Sequence, residues 1–276
     1  MLFKQKRTGN DFSYHLLIWL VLICSFFPMY MMFNISLKSN KQFFNQPWMP
    51  TFPFQWSNLD IAWEMVGQTI GVTIYICASA TLITLVLATL AAYFFGRFRM
   101  PGTNFLWSAF LVLMLMPSVA NLIPLFSLLR NLNLLNTLLA LIIVSASGGQ
   151  VFTVYVLRHF VEDIPNDLFE AAEMDGASHI HQIIHIVIPM SGSILSTLAI
   201  LRFISVWNSF ILPLVIIRDA EKLPLAVQLY QLEGAYVKEW GPLMGAYSIA
   251  AIPIIIIFLF SMRLFVKGLS AGAIKG

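Results

Sequence analysis

Between Val66 and Phe95 the chain reads VGQTIGVTIYICASATLITLVLATLAAYFF, without a single lysine, arginine, aspartate or glutamate. A helix needs roughly 20 consecutive apolar residues to cross the hydrocarbon core of a bilayer. The stretch exceeds this minimum and contains no charge that would oppose insertion. It therefore predicts a membrane-spanning helix.

Five further apolar stretches lie before and after it: Leu16 to Leu37, Phe105 to Leu129, Leu138 to Leu157, Gly192 to Ile217 and Leu243 to Met262. Hydrophobic side chains make up 59% of the 276 residues, charged ones only 11%, and the mean hydropathy is +0.81. A soluble domain has a much more polar composition. We therefore predict an all-α integral membrane protein with six transmembrane helices. The net charge of +3 is small and its basic residues are scattered, which argues against nucleic-acid binding.

The start of the chain could be read as a secretory signal peptide, because three basic residues precede the stretch from Leu16 to Leu37. That stretch is longer than the usual signal core of about 7 to 15 residues, and no small-x-small cleavage site follows it. We therefore predict an uncleaved first transmembrane helix. Cys24 and Cys77 lie inside apolar stretches, where we expect small packing residues and not disulfide or metal chemistry.

Six crossings place both ends of the chain on one side of the membrane, and an excess of lysine and arginine marks the cytoplasmic side. The side that holds both chain ends has more basic residues than the opposite side. The residues on the side of the chain ends are Lys4, Lys6, Arg7, Arg97, Arg99, Arg158, Arg263, Lys267 and Lys275. The residues on the opposite side are Lys38, Lys41, Arg130, Arg218, Lys222 and Lys238. The bias predicts cytoplasmic ends. Segments 38–64 and 218–242 are then external, and their aromatic residues suit the headgroup level. Those of the second segment could instead meet an extracellular partner.

One predicted cytoplasmic loop has the sequence EDIPNDLFEAAEMDGAS, from Glu162 to Ser178, and holds six of the 13 acidic residues of the chain. Pro165 suits the first turn of a helix, and the acidic residues that follow favour its positive N-terminal end. Gly176 can supply the left-handed residue that ends a helix. The loop is therefore predicted to contain a short helix.

Leu168, Phe169 and Ala172 fall on one face of this short helix and form an apolar ridge bordered by carboxylates. Such a ridge suits a groove in a soluble partner. The anionic inner leaflet would repel an acidic helix, since helices at membrane surfaces are usually rich in lysine and arginine. The alternative is a solvated acidic loop, and composition alone does not choose between these two interpretations.

Motifs along the chain resemble those of one family. Glu170-Ala171-Ala172, with Gly176 four residues on and Ile188-Pro189 further along, is similar to the "EAA" loop of permeases in binding-protein-dependent ABC importers. Further similar motifs are AAYFFGRFRMPG at 91–102, Trp207-Asn208, and the ending KGLSAGAIKG at 267–276. Together and in order, these motifs resemble the maltose-permease-like carbohydrate branch of the family over nearly the whole chain.

This resemblance implies a type I ABC importer permease fold. It implies an N-terminal helix and external connection in residues 1–65, and a core permease domain in 66–276 that includes a coupling loop at 158–189 and a cytoplasmic tail at 263–276. The expected function is import of a sugar of maltose or raffinose type across the bacterial cytoplasmic membrane. The expected partners are a second, homologous permease, two ATPase subunits and an extracellular sugar-binding protein.

In the family the loop forms a coupling helix that docks in a cleft of the ATPase. The resemblance implies that Glu170 pairs with a basic residue there, that Ala171 and Ala172 allow close approach, and that Gly176 allows the turn. Residues assigned to coupling are Leu168, Phe169, Glu170, Ala171, Ala172, Asp175, Gly176, Gly272 and Lys275. ATP and Mg²⁺ are expected on the ATPase subunits and no cofactor on this chain, which lacks a G-x-x-x-x-G-K-[ST] phosphate loop. No catalytic or metal-binding residue is predicted.

Features of the sequence also suggest two other classes of function. An ion-coupled secondary transporter or channel usually carries carboxylates or histidines at mid-membrane, where this chain has only Arg202. A membrane metalloenzyme is suggested by His181 and His185, one helical turn apart. However, Gln182 replaces the glutamate that a zinc hydrolase uses as its base, and no third ligand is evident. An interfacial position explains these histidines better.

The sugar path is predicted from polar, aromatic or kink-forming residues inside apolar stretches. These residues are Pro117, Asn121, Pro124, Arg202, Trp207, Asn208 and Pro213. Asparagine can pair with hydroxyl groups, a tryptophan face can stack on a sugar ring, and proline frees backbone carbonyls. Ordinary helix packing explains each of them equally well. Arg202 in particular is either a contact to the substrate or a polar clasp between helices.

Overall fold

The computed structural model describes residues 10–98, 100–115, 121–234 and 238–273, with side chains described between 13 and 260. Every regular element in these ranges is helical. The helices are α1 (Asn10–Ser36), α2 (Asn40–Asn45), α3 (Ser57–Arg97), α4 (Thr103–Val112), α5 (Leu122–Asn131), α6 (Leu138–Gly148), α7 (Gln150–Glu162), α8 (Asn166–Met174), α9 (His179–Gln182), α10 (Ile188–Met190), α11 (Gly192–Trp207), α12 (Ile211–Ile216), α13 (Leu225–Glu233) and α14 (Trp240–Ala273). A π-helical turn, Ile183–Val187, joins α9 to α10.

The predicted all-α membrane fold is confirmed. Within the described ranges, α1, α3 and α14 are each long and apolar enough to cross a bilayer, and two bent helix pairs also meet that test. One pair is α6 and α7, bent by 45°, and the other is His179–Met190 with α11, bent by 82°. The predicted stretch Phe105 to Leu129 contains two shorter apolar helices, Thr103–Leu115 and Leu122–Asn131.

The chain forms two compact units. The first consists of Met1–Gly67 with Leu229–Ile252, and the second of Gln68–Gln228 with Pro253–Gly276. The predicted domains, residues 1–65 and 66–276, stay a prediction.

In the first unit, a buried lysine organises the connection that follows α1. The side chain of Lys38 is only 1% exposed, and its Nζ donates to the carbonyl oxygens of Gln46 at 2.7 Å, Pro47 at 3.0 Å and Met49 at 2.6 Å. An ammonium group has three N–H donors, so all three are satisfied. Burial lowers the pKa of Lys38 below its ordinary value. Trp48, in the same connection, remains 61% exposed, as suits an aromatic residue at headgroup level.

In the second unit, one apolar core joins the end of α3 to α7, α8 and the segment around Ile183. Its fully or nearly fully buried members are Ala88, Ala92, Tyr93, Val154, Leu157, Val161, Ile164, Phe169, Ile183, Val187 and Leu198. Gly96 lies at the edge of this core, where an added Cβ would approach Val161 Cγ1 to 3.1 Å. The core therefore holds α8 against the end of a membrane-spanning helix.

Candidate functional site

The acidic loop forms the short helix that the sequence predicts. Helix α8 follows Pro165, and Gly176, with a φ of +78°, ends it. Ala177 N donates to Ala172 O at 2.9 Å and Gly176 N donates to Glu173 O at 3.0 Å, the two bonds of a Schellman motif. A residue with a side chain rarely adopts this φ, which accounts for glycine at this position.

Phe169 is the buried anchor of α8. Its side chain is 0% exposed, and the Arg97 guanidinium lies 3.8 Å from the centre of its ring, in cation–π geometry. The Tyr93 ring lies 6.3 Å away. The prediction that Phe169 belongs to an outward-facing ridge is therefore wrong, because the apolar core of the chain itself takes up this face of the helix. Phe169 packs α8 against the apolar core of the chain.

A polar network beneath α8 attaches it further to α3. The Tyr93 hydroxyl donates to Gln182 Oε1 at 2.6 Å and lies 3.0 Å from His179 Nδ1. Gln182 Nε2 in turn donates to Glu173 Oε1 at 3.4 Å. Arg97 donates to the side-chain oxygen of Asn166 at the start of α8. Sequence analysis missed Tyr93 and Arg97 as site residues. Their position, one helical turn apart at the end of an apolar stretch, could have indicated a polar contact there.

The opposite face of α8 is open. Glu170 and Ala171 are exposed, Ala172 is half-buried, Leu168 is 43% exposed and Met174 is 88% exposed. Asp175 and Gly176 are exposed as well. Within the described part of the chain, Glu170 takes part in no ion pair or side-chain hydrogen bond. Helix α8 therefore presents an exposed carboxylate beside exposed apolar side chains.

The sequence also assigns two residues of the C-terminal tail to ATPase contact. Gly272 is in the last part of α14, and Lys275 falls outside the described residues. Their assignment to ATPase contact stays a prediction.

A cavity of about 480 Å³ opens beside the end of α8. Residues lining it include Ala172, Asp175, Gly176, Ser178, His181 and His185. The two histidine rings stack on each other with centroids 3.9 Å apart. In the portion of the chain that the structure describes, no three histidine, cysteine, aspartate or glutamate residues are placed to hold a metal ion.

A second cavity, of about 560 Å³, lies among the apolar helices. Polar residues that line it are Ser145, Arg202, Ser205, Asn208 and Ser209. The structure thus brings together two predicted path residues, Arg202 and Asn208. Asn121 lies at the start of α5 and is exposed, immediately before Leu122, which lines the cavity.

Trp207 does not line this cavity. Its side chain is only 6% exposed, and its ring stacks on Phe203 with centroids 5.9 Å apart. The prediction of a substrate-facing Trp207 is therefore wrong. On a helix, adjacent residues point in different directions, so Asn208 reaches the cavity while Trp207 packs into the protein. Pro117 falls outside the described residues.

Arg202 is held between two helices by neutral groups. Its Nη2 donates to the carbonyl oxygen of Ser145, and its Nη1 donates to Ser205 Oγ at 3.4 Å. The side chain passes so close to Gly149 that an added Cβ would lie 2.4 Å from its Nε. The arrangement clasps α11 to α6 and at the same time places the guanidinium at the cavity wall.

Comparison with known proteins identifies the chain. Residues 84–271, more than half of the chain, match the family described as binding-protein-dependent transport system inner membrane component. The chain belongs to this family. Such permeases are membrane subunits of ABC importers and not enzymes.

Relatives and a solved structure agree with this assignment. The probable ABC transporter permease protein YurM of Bacillus subtilis is 32% identical, covering 99% of this chain and 91% of the relative. The melibiose/raffinose/stachyose import permease protein MelC of the same organism is 26% identical, covering 99% and 100%. A chain from the crystal structure of a bacterial ABC transporter involved in the import of the acidic polysaccharide alginate superposes with a TM-score of 0.83, covering 95% of this permease and 99% of that chain, at 22% identity. That likeness demonstrates the shared fold. Nothing in these comparisons favours an ion-coupled transporter or channel.

Proposed function

We propose that this permease carries a sugar, in particular an oligosaccharide, across the cytoplasmic membrane, with both chain ends and the loop 158–189 in the cytoplasm. The names of relatives support the substrate class: MelC is named for melibiose, raffinose and stachyose import, and AraQ of Halalkalibacterium halodurans for arabinooligosaccharide transport. The excess of lysine and arginine supports the orientation. A second permease, two ATPase subunits and an external binding protein complete the transporter.

The observation that carries the proposal is the two-faced environment of α8. Phe169 is fully buried under Arg97, while Glu170, the next residue, is exposed. A helix attached in this way to the end of α3 moves together with it. A partner that moves the exposed face of α8 therefore also moves a membrane-spanning helix, because tightly packed elements move as rigid bodies.

The proposed cycle uses energy supplied by the partner subunits. ATP and Mg²⁺ bind to the ATPase pair and close it, and α8, docked in a cleft of one ATPase, follows. Glu170 pairs with a basic residue in that cleft, and Ala171 and Ala172 allow close approach. The movement rocks the membrane helices between outward and inward openings, and the cavity beside Arg202 and Asn208 is the part of this chain along which the sugar passes.

The test is affinity purification of the permease from its native membrane, followed by mass spectrometry and an ATPase assay. A second permease and an ATPase should co-purify, and one candidate binding protein loaded with its sugar should stimulate ATP hydrolysis. Recovery of a lone or homo-oligomeric chain without ATPase activity would overturn the proposal. In that case the ion-coupled alternative would have to be tested by measuring uptake driven by an ion gradient.

A further inference from the structure

Arg202 is a charged residue in the membrane-spanning helix α11. It lines the cavity of about 560 Å³, and no aspartate or glutamate of the described segments pairs with it. A charge at this depth is costly and usually finds a counter-charge or a wet cavity. The cavity beside Arg202 supplies the second of these, a wet cavity. The counter-charge is missing from the part of the chain that the structure describes.

The neighbours of Arg202 hold the guanidinium in place without neutralising it. The hydrogen bonds go to a backbone carbonyl, that of Ser145, and to the hydroxyl of Ser205. Both are neutral acceptors, so the full positive charge persists at the cavity wall. Arginine carries five N–H donors, and these two contacts leave at least one donor on each terminal nitrogen. Such a pair of donors matches the two oxygens of a carboxylate or phosphate.

The rest of the cavity wall suits the hydroxyl groups of a sugar. Ser205, Asn208 and Ser209 line it beside Arg202. Asn208 Nδ2 donates to Ile204 O at 3.0 Å, and no group in the described ranges bonds to its Oδ1. That oxygen can accept from a sugar hydroxyl, and the serine hydroxyls can donate or accept. The site thus combines one fixed positive charge with several neutral polar groups.

We propose that this cavity binds a sugar bearing an acidic group, a carboxylate or a phosphate, with Arg202 as its counter-charge. The inference rests on the proposed sugar-import function and names the substrate class. A neutral sugar that displaces water from the cavity would leave the guanidinium without a counter-charge, whereas an acidic sugar pairs with it. The preference for an acidic over a neutral sugar should therefore depend on Arg202.

The experiment uses the complete complex, purified with its second permease and ATPase subunits, both without nucleotide and arrested with ATP and vanadate. Calorimetry would compare trigalacturonate with α-1,4-linked galactotriose, and glucose 6-phosphate with glucose. At least one acidic sugar should bind about tenfold or more tightly than its neutral counterpart. Arg202→Gln should abolish this preference. Arg202→Lys should keep part of it, because lysine retains the charge but not the planar pair of donors. Arg130→Gln, which removes an exposed charge at the end of α5, should leave it unchanged.

Each outcome decides the proposal. A preference for trigalacturonate alone identifies a carboxylate and one for glucose 6-phosphate alone a phosphate, and both support it. Equal binding of acidic and neutral sugars by the unmodified complex would overturn it, even where a variant fails to assemble. So would a preference that survives Arg202→Gln. Loss of the second permease in Arg202→Gln, together with equal binding of acidic and neutral sugars by the unmodified complex, would also overturn it and would assign Arg202 to assembly. Failure of the ATPase to co-purify would count against the proposed function instead.

Discussion

The Arg97 guanidinium lies 3.8 Å from the centre of the Phe169 ring, and Phe169 is 0% exposed. Arg97 is the last residue of α3, and Phe169 is the fourth residue of α8. This contact therefore packs the short acidic helix α8 against the end of the membrane-spanning helix α3. The exposed Glu170 next to it is then held in a defined position relative to the membrane helices.

Replacing Phe169 with alanine should strongly destabilise the permease. The change leaves a cavity in the core of the second unit, and buried phenylalanine-to-alanine substitutions typically cost about 3–5 kcal/mol. Thermal unfolding of the purified protein should show a clear drop in Tm. Leu168→Ala, at a neighbouring position that is 43% exposed, should cost less than about 1 kcal/mol. Similar losses for the two variants would contradict the anchoring role of Phe169.

Reversing the charge of Glu170 should abolish transport without removing the protein from the membrane. Glu170→Lys changes an exposed side chain, so folding is expected to be preserved, whereas pairing with a basic residue of the ATPase is lost. Uptake of labelled sugar and immunoblots of membrane fractions would measure the two effects. Asp163→Lys, the same reversal at an exposed position outside α8, should retain uptake. Normal uptake by Glu170→Lys would count heavily against docking through α8.

Substituting Gly176 with alanine should strain the end of α8. The φ of +78° at this residue costs an L-amino acid roughly 1–2 kcal/mol. The effect should appear as a lower Tm and as reduced sugar-stimulated ATP hydrolysis in the complex. Gly192→Ala is the matched control, because an added Cβ there meets no atom within 4 Å and the backbone is helical. A Gly176→Ala variant as stable as Gly192→Ala would show that the turn is not required.

A methyl group at Gly149 should displace Arg202. An added Cβ would lie 2.4 Å from Arg202 Nε, and the flexible side chain can yield more easily than the backbone. Gly149→Ala should therefore assemble normally but reduce sugar uptake. Gly71→Ala, where an added Cβ meets nothing within 4 Å, should retain full uptake. Unchanged uptake by Gly149→Ala would contradict a role for the position of Arg202.

Removing the Lys38 ammonium should unfold the connection after α1. Lys38→Met leaves three carbonyl oxygens without their donor, and a buried unsatisfied polar group costs about 1–3 kcal/mol. Limited proteolysis between residues 38 and 56 should become faster. Lys41→Met, an exposed position in the same segment, should cleave at the rate of the unmodified protein. Equal rates for all three proteins would rule out this role of Lys38.

The local predictions succeeded where a single stretch carries the information. The apolar stretches around α1, α3 and α14 identified long membrane helices, since length and composition suffice for that. Pro165 and Gly176 correctly predicted where α8 begins and ends, because the ends of a helix are determined by residues close to them in the sequence. The bends of 45° and 82° were not predicted, because neither break stands out in the local pattern of hydrophobicity.

The sequence by itself determined the membrane class, the short acidic helix and the resemblance to importer permeases, all of which depend on composition, local geometry or ordered motifs. Only the tertiary structure decided that Phe169 faces inward, that Trp207 is buried and that Arg202 shares a cavity with Asn208. The physical reason is that a helix with apolar residues on more than one face can turn any of them to the core. Contacts with residues distant in the sequence, such as that of Arg97 with Phe169, determine which face is buried.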